Sequence, residues 1–331
     1  MKAIVHEGKE GFEGLNHQEV ETGEPGKHDV QIRIKAAGMN RRDLMVPFRH
    51  KTDQPPLILG SDGAGIIEHV GEHVTQVKPG DEVIINPGLG WEHNSSAPPE
   101  GFEIVGLPGH GTFAEVVTMP AKNVEPKPPH LSWEEAGVLS LAGLTAYRVL
   151  FTRAKIKAGQ TVMLPGIGSG VMVFALKFAK LAGARVIVTS RSKEKQEQAL
   201  KLGADVAIDT ASDWSRELQH ETIDTLVESI GGATFDKSLG VIRKGGTVVT
   251  FGATTEDEVN INIRKFFYGQ YNLLGSTMGC AEEYREMLRL VNQHRIRPEL
   301  DETFVFADVH KAFEYQQESK NFGKIALLPI G

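Results

Sequence analysis

Apolar and polar residues alternate over short runs in the first part of the chain, as they do in strands that bury one face. The run from Val30 to Ile34 shows this pattern, and turn-forming pairs such as Pro79-Gly80 separate one run from the next. Residues 86–111 combine many glycines and prolines with polar residues, which predicts a long loop. The first part of the chain is therefore predicted to form a compact β-barrel.

The pattern changes after residue 160, where apolar strand-like runs alternate with helical sequence. These runs begin near residues 161, 185, 205, 224, 246 and 271. Alternation at this interval predicts a mostly parallel, doubly wound sheet with right-handed crossovers, so the predicted fold class is α/β. An amphipathic helix over 281–294, a helix capped by Asp308 and a final strand over 324–329 complete the prediction.

The chain is long enough for two separate cores, because its 331 residues exceed the size of an average single domain. Three prolines lie between Lys122 and Pro129, and this composition is typical of a linker. We therefore predict that the chain passes from one domain to the other in this segment.

A glycine-rich turn joins the strand that begins at Thr161 to the next helix. Glycines let such a turn be tight and let the backbone approach a pyrophosphate, while the free N–H groups at the helix start attract the anion. The alternative is an ordinary strand-to-helix turn, since Met172 stands where a further glycine often packs the helix closely. The predicted cofactor-binding residues of this turn are Gly166, Gly168, Ser169, Gly170 and Val171.

The second strand of this domain ends in Thr189-Ser190-Arg191 and carries no acidic residue that could hold a ribose 2′-hydroxyl. Ser190, Arg191 and Lys195 offer a hydroxyl and two cations, which suit a 2′-phosphate. NADP(H) is therefore predicted in preference to NAD(H), and surface cations at a helix start are the alternative. Residues that follow later strands are predicted to meet the cofactor at the carboxyl edge of the sheet, namely Gly252, Ala253 and Ser276.

The charge and composition of the chain indicate which classes of partner are not expected. The chain has 36 Lys and Arg against 43 Asp and Glu, a net charge of -7 and no basic tract, so a nucleic acid is not expected as a partner. Hydrophobic residues at 40% and charged residues at 24% predict a globular protein without a membrane span. Cys280 is the only cysteine and the N-terminus carries no secretion signal, so a cytoplasmic protein with a small-molecule substrate is predicted.

Eight segments, in order along the chain, carry a resemblance to one family. They are AAGMNRRD (36–43), LGSDGAG (59–65), VKPGDEV (77–83), GLTAY (143–147), the glycine turn, GGTVVTFG (245–252), LGSTM (274–278) and FGKI (322–325). Through them the chain resembles the medium-chain dehydrogenase/reductase superfamily, and more closely its zinc-independent, quinone-oxidoreductase-like members. The resemblance implies a GroES-like β-barrel catalytic domain over 1–124, completed by 292–331, and a Rossmann NADP-binding domain over 125–291. It also implies a homodimer or tetramer formed through the Rossmann domains.

The resemblance assigns roles to residues outside the glycine turn. Asn40 would lie near the nicotinamide and the substrate oxygen, or would be a buried amide that closes a turn. Arg41 and Arg42 would reach the cofactor pyrophosphate or remain solvated cations. Thr145 would lie beside the nicotinamide, or its hydroxyl would bond to its own helix. Lys324 is also assigned to cofactor binding.

This chain departs from the family pattern at the positions of the zinc ligands. Zinc-dependent relatives place ligands where this chain has Asn40, the pair Ser61-Asp62 and, nearby, Leu141. The loop over 86–111 resembles a lobe that carries a structural zinc, yet it contains no cysteine. Neither set suits tetrahedral zinc, so no zinc is expected. The string from His69 to His73 matches a metalloprotease pattern, but its neighbours predict a solvated turn.

Without a metal, reduction of a conjugated acceptor is predicted rather than alcohol oxidation, because the charge that arrives with hydride spreads over the acceptor. The predicted reaction transfers hydride from NADPH to a quinone or an α,β-unsaturated carbonyl compound. Asn40 would hold the oxygen, and Ser61, with His50 behind it, is the candidate proton donor. The alternatives are an NADPH-binding redox sensor with little catalysis and a zinc alcohol dehydrogenase with unusual ligands.

Overall fold

The computed structural model describes residues 1–329. Its strands are β1 (Lys2–His6), β2 (Leu15–Glu19), β3 (Asp29–Gly38), β4 (Leu57–Ile58), β5 (Asp62–Val70), β6 (Glu82–Ile85), β7 (Gly88–Leu89), β8 (Glu103–Ile104), β9 (Val116–Pro120), β10 (Val124–Pro126), β11 (Thr161–Leu164), β12 (Arg185–Ser190), β13 (Val206–Asp209), β14 (Ile223–Glu228), β15 (Ile242–Thr250), β16 (Asn272–Gly275), β17 (Leu300–Val305) and β18 (Lys324–Leu328).

The helices of the described chain vary from one turn to four turns in length. They are α1 (Val46–Arg49), α2 (Trp133–Gly137), α3 (Ser140–Tyr147), α4 (Gly170–Leu181), α5 (Lys193–Lys201), α6 (Trp214–Glu217), α7 (Gly232–Val241), α8 (Ile263–Gly269), α9 (Ala281–His294) and α10 (Val309–Gln317). Short 3₁₀ turns cover Gly11–Gly14, Arg41–Leu44, Ala121–Asn123 and Phe306–Asp308, and α3 continues into a π-helical segment, Arg148–Arg153. None of the helices within residues 1–329 is both long enough and apolar enough to cross a bilayer.

The chain forms two compact units. The first unit is Met1–Leu144 with Gly279–Gly331, and the second is Thr145–Met278. The predicted boundaries after residues 124 and 291 therefore both fall inside the first unit of the structure.

Backbone contacts explain why the first unit extends past residue 124. The segment 122–129, predicted as a linker, instead contains β10, which pairs antiparallel with β6. The helix α2 packs on β3 where two glycines meet. A Cβ atom on Gly38 would lie 2.5 Å from the carbonyl oxygen of Gly137, so the close approach requires glycine at this position.

The loop over 86–111 explains the second boundary. It is irregular, as predicted, apart from the short antiparallel pair β7 and β8. The N–H groups of Ala281 and Glu282, in the first turn of α9, donate to the carbonyl oxygens of Trp91 and Glu92 (2.9 and 3.1 Å). These bonds satisfy N–H groups that the start of a helix leaves without an internal partner. They attach the start of α9 to the loop of the first unit.

The first unit is built on a seven-stranded sheet in the order β10-β6-β5-β3-β18-β17, with β9 also paired to β3. The long strand β3 is central and pairs with β5, β9 and β18. Val30, Ile32 and Ile34 alternate along β3 and are buried in the core of this unit. The alternation in the sequence therefore predicted this strand correctly, and the β-rich character of the first domain is confirmed.

The second unit contains a six-stranded sheet in the order β13-β12-β11-β14-β15-β16. Every neighbouring pair in it is parallel. Numbered within this unit, the order is 3-2-1-4-5-6, which is the order of doubly wound dinucleotide-binding sheets. Five of the six predicted strand starts lie within one residue of the observed starts, whereas β15 begins at Ile242 rather than near residue 246. The Rossmann fold class is confirmed. Met163, Leu226 and Val248 bring three of these strands into one buried core.

Candidate functional site

The glycine turn of the second unit lies between the end of β11 and the first residue of α4. Gly166 and Gly168 have φ angles of 75° and 124°, in a region that glycine enters without steric strain. The hydroxyl of Ser169 accepts a hydrogen bond from the N–H of Met172 (3.3 Å), so Ser169 caps α4. The helix dipole and the N–H groups of the first turn favour an anion at this position. The turn therefore has the geometry of a phosphate site.

The end of β12 adjoins this turn, because β12 pairs with β11. Ser190 is buried and its hydroxyl accepts a hydrogen bond from the N–H of Ser192 (3.1 Å), whereas Arg191 is exposed. Lys195 lies half-buried in the first turn of α5. The three residues predicted to hold a 2′-phosphate thus stand together at one strand end.

The other predicted residues of the second unit lie at the same edge of the sheet. Gly252 and Ala253 follow β15, and Ser276 follows β16, where its N–H donates to the carbonyl oxygen of Thr250 (2.8 Å). Because the strands are parallel, their carboxyl ends share one edge with the glycine turn, and ligands bind at this edge in open α/β sheets. We call the strand ends from the glycine turn to Ser276 the cofactor edge.

The cofactor edge contains a buried carboxylate that was not predicted. Glu228 ends β14, and its side chain accepts hydrogen bonds from the hydroxyls of Thr234 (3.0 Å) and Ser238 (2.7 Å) and from the N–H of Ile230 (2.8 Å). Negative charge is favourable at the start of α7, so Glu228 fixes the turn that precedes this helix. A Cβ atom on Gly166 would lie only 2.9 Å from Cδ1 of Ile230. Glu228 therefore positions a residue that packs against the glycine turn.

A second polar site lies inside the first unit, where Lys324 of β18 meets the end of β3 and the start of β5. The Nζ of Lys324 donates to the carbonyl oxygen of Met39 (2.6 Å), to Oδ1 of Asn40 (2.6 Å) and to Oδ2 of Asp62 (3.3 Å). Asp62 also accepts hydrogen bonds from Nδ2 of Asn40 (3.0 Å) and from the N–H of Leu141 (2.8 Å). We call these five residues the Lys324 cluster.

The charges of the Lys324 cluster are almost completely removed from water. Lys324 is 3% exposed and Asp62 is 0% exposed. Burial lowers the pKa of the Lys324 ammonium, while Asp62 and Asp43 oppose this shift. A buried charge of this kind is tolerated when it is paired and hydrogen-bonded. Asn40 and Lys324, predicted to contact the cofactor or substrate, therefore use these polar atoms to hold one another within the first unit.

Ser61 and Arg42 form a neighbouring group around the carbonyl oxygen of Val105. The Oγ of Ser61 donates to this oxygen (2.7 Å) and accepts a short hydrogen bond from Nη1 of Arg42. The same Nη1 also donates to the Val105 oxygen (2.8 Å). Ser61, predicted as a candidate proton donor, thus has its proton engaged by a backbone carbonyl.

Asp43 is a fully buried acid next to Arg42 that was not predicted. Its Oδ2 accepts a hydrogen bond from the N–H of Asn40 (2.7 Å), which caps the 3₁₀ turn that follows. Its Oδ1 has no hydrogen-bond partner within residues 1–329. Burial raises the pKa of the Asp43 carboxyl to about 6, although Arg42 and Lys324 act in the opposite direction. The charged form of Asp43 is therefore poorly stabilised.

His50, predicted as the reserve proton donor, lies in the interior of the first unit. Its Nδ1 is 2.8 Å from Nδ1 of His6, and its Nε2 is 3.0 Å from the carbonyl oxygen of Pro55. The Nε2 of His6 faces the carbonyl oxygen of Gly11 (3.1 Å). Because each ring nitrogen is already close to a partner, His50 has the surroundings of a structural residue.

Arg41 and Thr145, also predicted to bind the cofactor, differ in exposure. Arg41 is exposed, and its Nη1 donates to the hydroxyl of Ser319 (3.0 Å). Thr145 is buried in α3. Arg41 is therefore accessible in the first unit, whereas Thr145 is only 5% exposed.

The donors at the positions where the resemblance implies zinc ligands do not fit a zinc ion. Asn40 offers an amide and Leu141 offers no side-chain donor, whereas zinc in proteins prefers thiolate, imidazole and carboxylate ligands. The oxygens of Asn40 and Asp62 already accept hydrogen bonds from the Lys324 ammonium, which would repel a second cation. Across residues 1–329, no three His, Cys, Asp or Glu side chains are grouped so that they could hold a metal ion.

The sequence contains a partial signal for the Lys324 cluster. Lys324 begins an otherwise apolar strand and Asp62 precedes five uncharged residues, and a charged residue in a buried strand requires a partner. The partner itself is not evident from the sequence, since the two residues are 262 positions apart. Only the pairing of β18 with β3, and of β3 with β5, brings them together.

Comparisons with known proteins agree with this two-part organisation. Two family models match: an alcohol dehydrogenase GroES-like domain over residues 26–129 and a zinc-binding dehydrogenase over residues 170–293. A zinc-type alcohol dehydrogenase-like protein of Schizosaccharomyces pombe is 32% identical over 99% of each chain. A crotonyl-CoA reductase of Streptomyces avermitilis is 30% identical over 88% of this chain and 72% of the relative. The crystal structure of an NAD-dependent alcohol dehydrogenase is 33% identical, with a TM-score of 0.93 over 100% of both chains.

The fold and these matches define an oxidoreductase with a GroES-like catalytic domain and a Rossmann domain. The chain belongs to the medium-chain dehydrogenase/reductase superfamily. The resemblance predicted from the eight sequence segments is thereby confirmed at the level of the superfamily.

Proposed function

We propose that this protein reduces α,β-unsaturated carbonyl compounds by transferring a hydride from NADPH to the β-carbon of the acceptor. The Lys324 cluster is the observation that carries the proposal, because an internal ion pair takes up the oxygens where zinc-dependent relatives bind their metal. Oxidation of a simple alcohol needs a stabilised alkoxide, which a metal supplies, whereas a conjugated acceptor spreads the incoming charge. The similarity to a crotonyl-CoA reductase favours the same acceptor class.

Residues of the cofactor edge would hold the dinucleotide. The glycine turn and the start of α4 suit the pyrophosphate, and the absence of a Cβ at Gly168 lets the backbone come close to it. Ser190, Arg191 and Lys195 would hold the 2′-phosphate of NADPH. When bound, the reduced nicotinamide supplies the hydride. One relative of known structure is named as NAD-dependent, so the preference for NADPH is itself a quantity to measure.

Residues of the first unit would orient the acceptor. Asn40 is held rigidly by Lys324 and Asp62, and in this proposal its second Nδ2 hydrogen is the one that contacts the acceptor. The hydroxyl of Ser61 is bonded to Val105, so we assign the proton that completes the reaction to water rather than to Ser61. Both residues would then act mainly by fixed position.

The test is NADPH oxidation by purified, chelator-treated protein. Crotonyl-CoA, cyclohexenone, an ortho-quinone and an aldehyde are offered separately, with NADH run in parallel and with zinc added back as a control. We expect turnover of crotonyl-CoA or cyclohexenone, with NADPH preferred. Turnover of the quinone alone would change the acceptor class. Tight NADPH binding with no turnover would favour a redox sensor, and activity that returns only with zinc would contradict the proposal.

We also propose that the second unit mediates a homodimer or tetramer. The strand β16 lies at the edge of its sheet. The preceding helix α8 presents two large apolar side chains, Ile263 and Tyr268, each 67% exposed. An apolar surface beside a sheet edge favours association with another copy. Sedimentation of the native protein and of Tyr268→Lys tests this, and an unchanged mass in the variant would count against this surface.

A further inference from the structure

Arg42 is held in place by one of its three guanidinium nitrogens. It lies in the 3₁₀ turn that directly follows Asn40, and its Nη1 donates to the carbonyl oxygen of Val105 and to the hydroxyl of Ser61. Within residues 1–329 these are all the hydrogen bonds of its side chain, so the N–H groups of Nε and Nη2 have no protein acceptor. The guanidinium is therefore oriented by the protein while part of its donor capacity stays available.

The positive charge of Arg42 also lacks a direct counterion. No carboxylate oxygen of residues 1–329 lies within 4.0 Å of its guanidinium nitrogens. Two acids act on this charge only at longer range, because Asp62 is paired with Lys324 and the buried Asp43 carboxyl faces the N–H of Asn40. Arg42 is half-buried, and burial lowers the pKa of its guanidinium, but arginine remains protonated in proteins. A partly buried cation with no carboxylate in contact favours the binding of an anion.

We infer that Arg42 is a catalytic residue that binds the carbonyl oxygen of the substrate and stabilises the negative charge this oxygen gains during reduction. The inference rests on the proposed function. In that reaction Arg42 would take the place of a metal ion as the electrophile that acts on the carbonyl oxygen. Two observations support it: the free N–H groups of a fixed guanidinium, and the place of Arg42 in the turn that begins at Asn40, the residue that the proposed function puts at the acceptor. The substrate is a compound whose oxygen is neutral before hydride transfer and anionic after it, such as an enone or an enoyl thioester.

The reaction balances with the reduced nicotinamide dinucleotide as the reductant. The hydride forms a C–H bond at the β-carbon, and the electrons of the conjugated double bonds move to the carbonyl oxygen, giving an enolate. The guanidinium of Arg42 then carries charge-assisted hydrogen bonds to the enolate oxygen, which are stronger than those to the neutral carbonyl. A proton from water adds to the α-carbon and restores the neutral carbonyl. Arg42 therefore stabilises the charged state more than the substrate.

The kinetic test compares native protein with Arg42→Gln and Arg42→Lys in single-turnover reduction of crotonyl-CoA and cyclohexenone. Loss of one oxyanion donor typically slows a reaction by about 100-fold or more, and we expect a loss of this size in the hydride-transfer rate of Arg42→Gln. NADPH affinity should change little. Arg42→Lys should lose less, because it keeps the charge but not the planar fork. It also serves as the test variant if Arg42→Gln does not fold. Arg289→Gln, an exposed substitution on α9, is the matched control.

A second readout measures the oxyanion site without turnover. The probe is 4-nitrophenolate, a delocalised oxyanion whose absorbance changes with hydrogen bonding, and it is titrated into protein saturated with NADP⁺. We expect the native protein and Arg289→Gln to bind the phenolate, and Arg42→Gln to bind it at least about 10-fold more weakly, as for loss of a charge-assisted contact. The neutral analogue 4-nitroanisole should not distinguish the variants.

The two readouts separate this inference from the proposed function. If the native protein reduces enones and folded Arg42→Gln reduces them equally fast, the role of Arg42 is wrong and the proposed function stands. A rise in KM with unchanged kcat would also overturn the inference, since it indicates a ground-state anchor. If the native protein reduces no acceptor but binds 4-nitrophenolate through Arg42, the proposed reaction is wrong and the oxyanion site is supported. Equal phenolate affinity in Arg42→Gln and native protein overturns the oxyanion site.

Discussion

The cofactor edge of the second unit and the Lys324 cluster of the first unit use polar groups in opposite ways. The cofactor edge is built mainly from backbone at glycines and strand ends, and its cation Arg191 is exposed. The Lys324 cluster is built from charged side chains that are almost fully buried, and those charges are used within the protein. The exposed cation and the glycine backbone of the edge can therefore contact a ligand, whereas the charged groups of the cluster are paired within the fold.

Because of this difference, substitutions in the two regions should change different quantities. A substitution at the cofactor edge removes contacts that only a ligand makes, so it should change affinity and leave the fold intact. A substitution in the Lys324 cluster leaves an uncompensated charge in a low-dielectric interior, so it should change the free energy of unfolding first. Arg42 combines both properties, since it is fixed like the cluster and has free donors like the edge.

Removal of the Lys324 ammonium should have the largest effect. In Lys324→Met the carboxylate of Asp62 would stay buried without its cation, and breaking a buried pair in this way costs about 3–5 kcal/mol. Chemical denaturation followed by circular dichroism measures the loss. Lys311→Met, at an exposed residue in an ion pair on α10, is the control and should leave the free energy of unfolding nearly unchanged.

A double variant tests whether the uncompensated charge causes that loss. In Lys324→Met combined with Asp62→Asn, the buried negative charge is gone, so the double variant should be more stable than the sum of the two single losses predicts. Additive losses would mean that packing of the lysine stem, rather than charge, holds the cluster together. That result would mean that buried charge does not distinguish the Lys324 cluster from the cofactor edge.

The glycine turn should show the opposite behaviour. Gly168 has a φ of 124°, and in Gly168→Val the side chain would strain this turn and block the approach of the pyrophosphate. We expect NADPH affinity to fall by about 100-fold or more, equivalent to about 3 kcal/mol, while the circular dichroism spectrum is retained. Gly203→Val, at a φ of 103° after α5, introduces similar backbone strain away from the turn and should bind NADPH normally. Retained affinity in Gly168→Val would contradict the phosphate site.

The contrast between the cofactor edge and the Lys324 cluster also explains which features could be predicted from the sequence. The glycine turn and the strand ends form from residues that are close in sequence, so local patterns predicted both their structure and their position on one edge. The Lys324 cluster depends on pairing across strands, and no local pattern specifies that Asp62 meets Lys324 rather than another charge. The extent of the first unit likewise depends on contacts that are distant in sequence, such as that of Gly38 with Gly137. Local chemistry is thus predictable from the sequence, and pairing is not.

Asp43 provides a pH test of the buried region. Burial raises the pKa of its carboxyl to about 6 from the usual 3.8. Between these values the folded state binds the proton more tightly, so this contribution to stability is full below about pH 4 and is lost as the pH rises through 6. Asp43→Asn keeps an acceptor for the N–H of Asn40 without the charge, and should be more stable than native protein at pH 8 by about 1–3 kcal/mol.

The measurement is the difference in free energy of unfolding between Asp43→Asn and native protein at pH 4, 6 and 8. The difference should grow with pH over this range, and the exposed control Asp53→Asn should show no such trend. A difference that is constant with pH would mean that the Asp43 carboxyl is not perturbed by burial. The interior around Asp43 would then stabilise a buried charge better than we expect.

The smallest effect is expected at Arg191, because its side chain is exposed and Lys195 remains to share the phosphate charge. In Arg191→Ala, NADPH affinity should fall by about 10-fold, equivalent to about 1.4 kcal/mol, since a charge-assisted contact to the 2′-phosphate is lost. NADH lacks this phosphate, so its affinity should not change. Fluorescence titration with both dinucleotides measures the ratio, and Lys193→Ala, at the start of α5, is the matched control. Equal losses for NADPH and NADH would show that Arg191 does not contact the 2′-phosphate. Because that contact is screened by solvent, the loss for NADPH should also shrink as salt is raised.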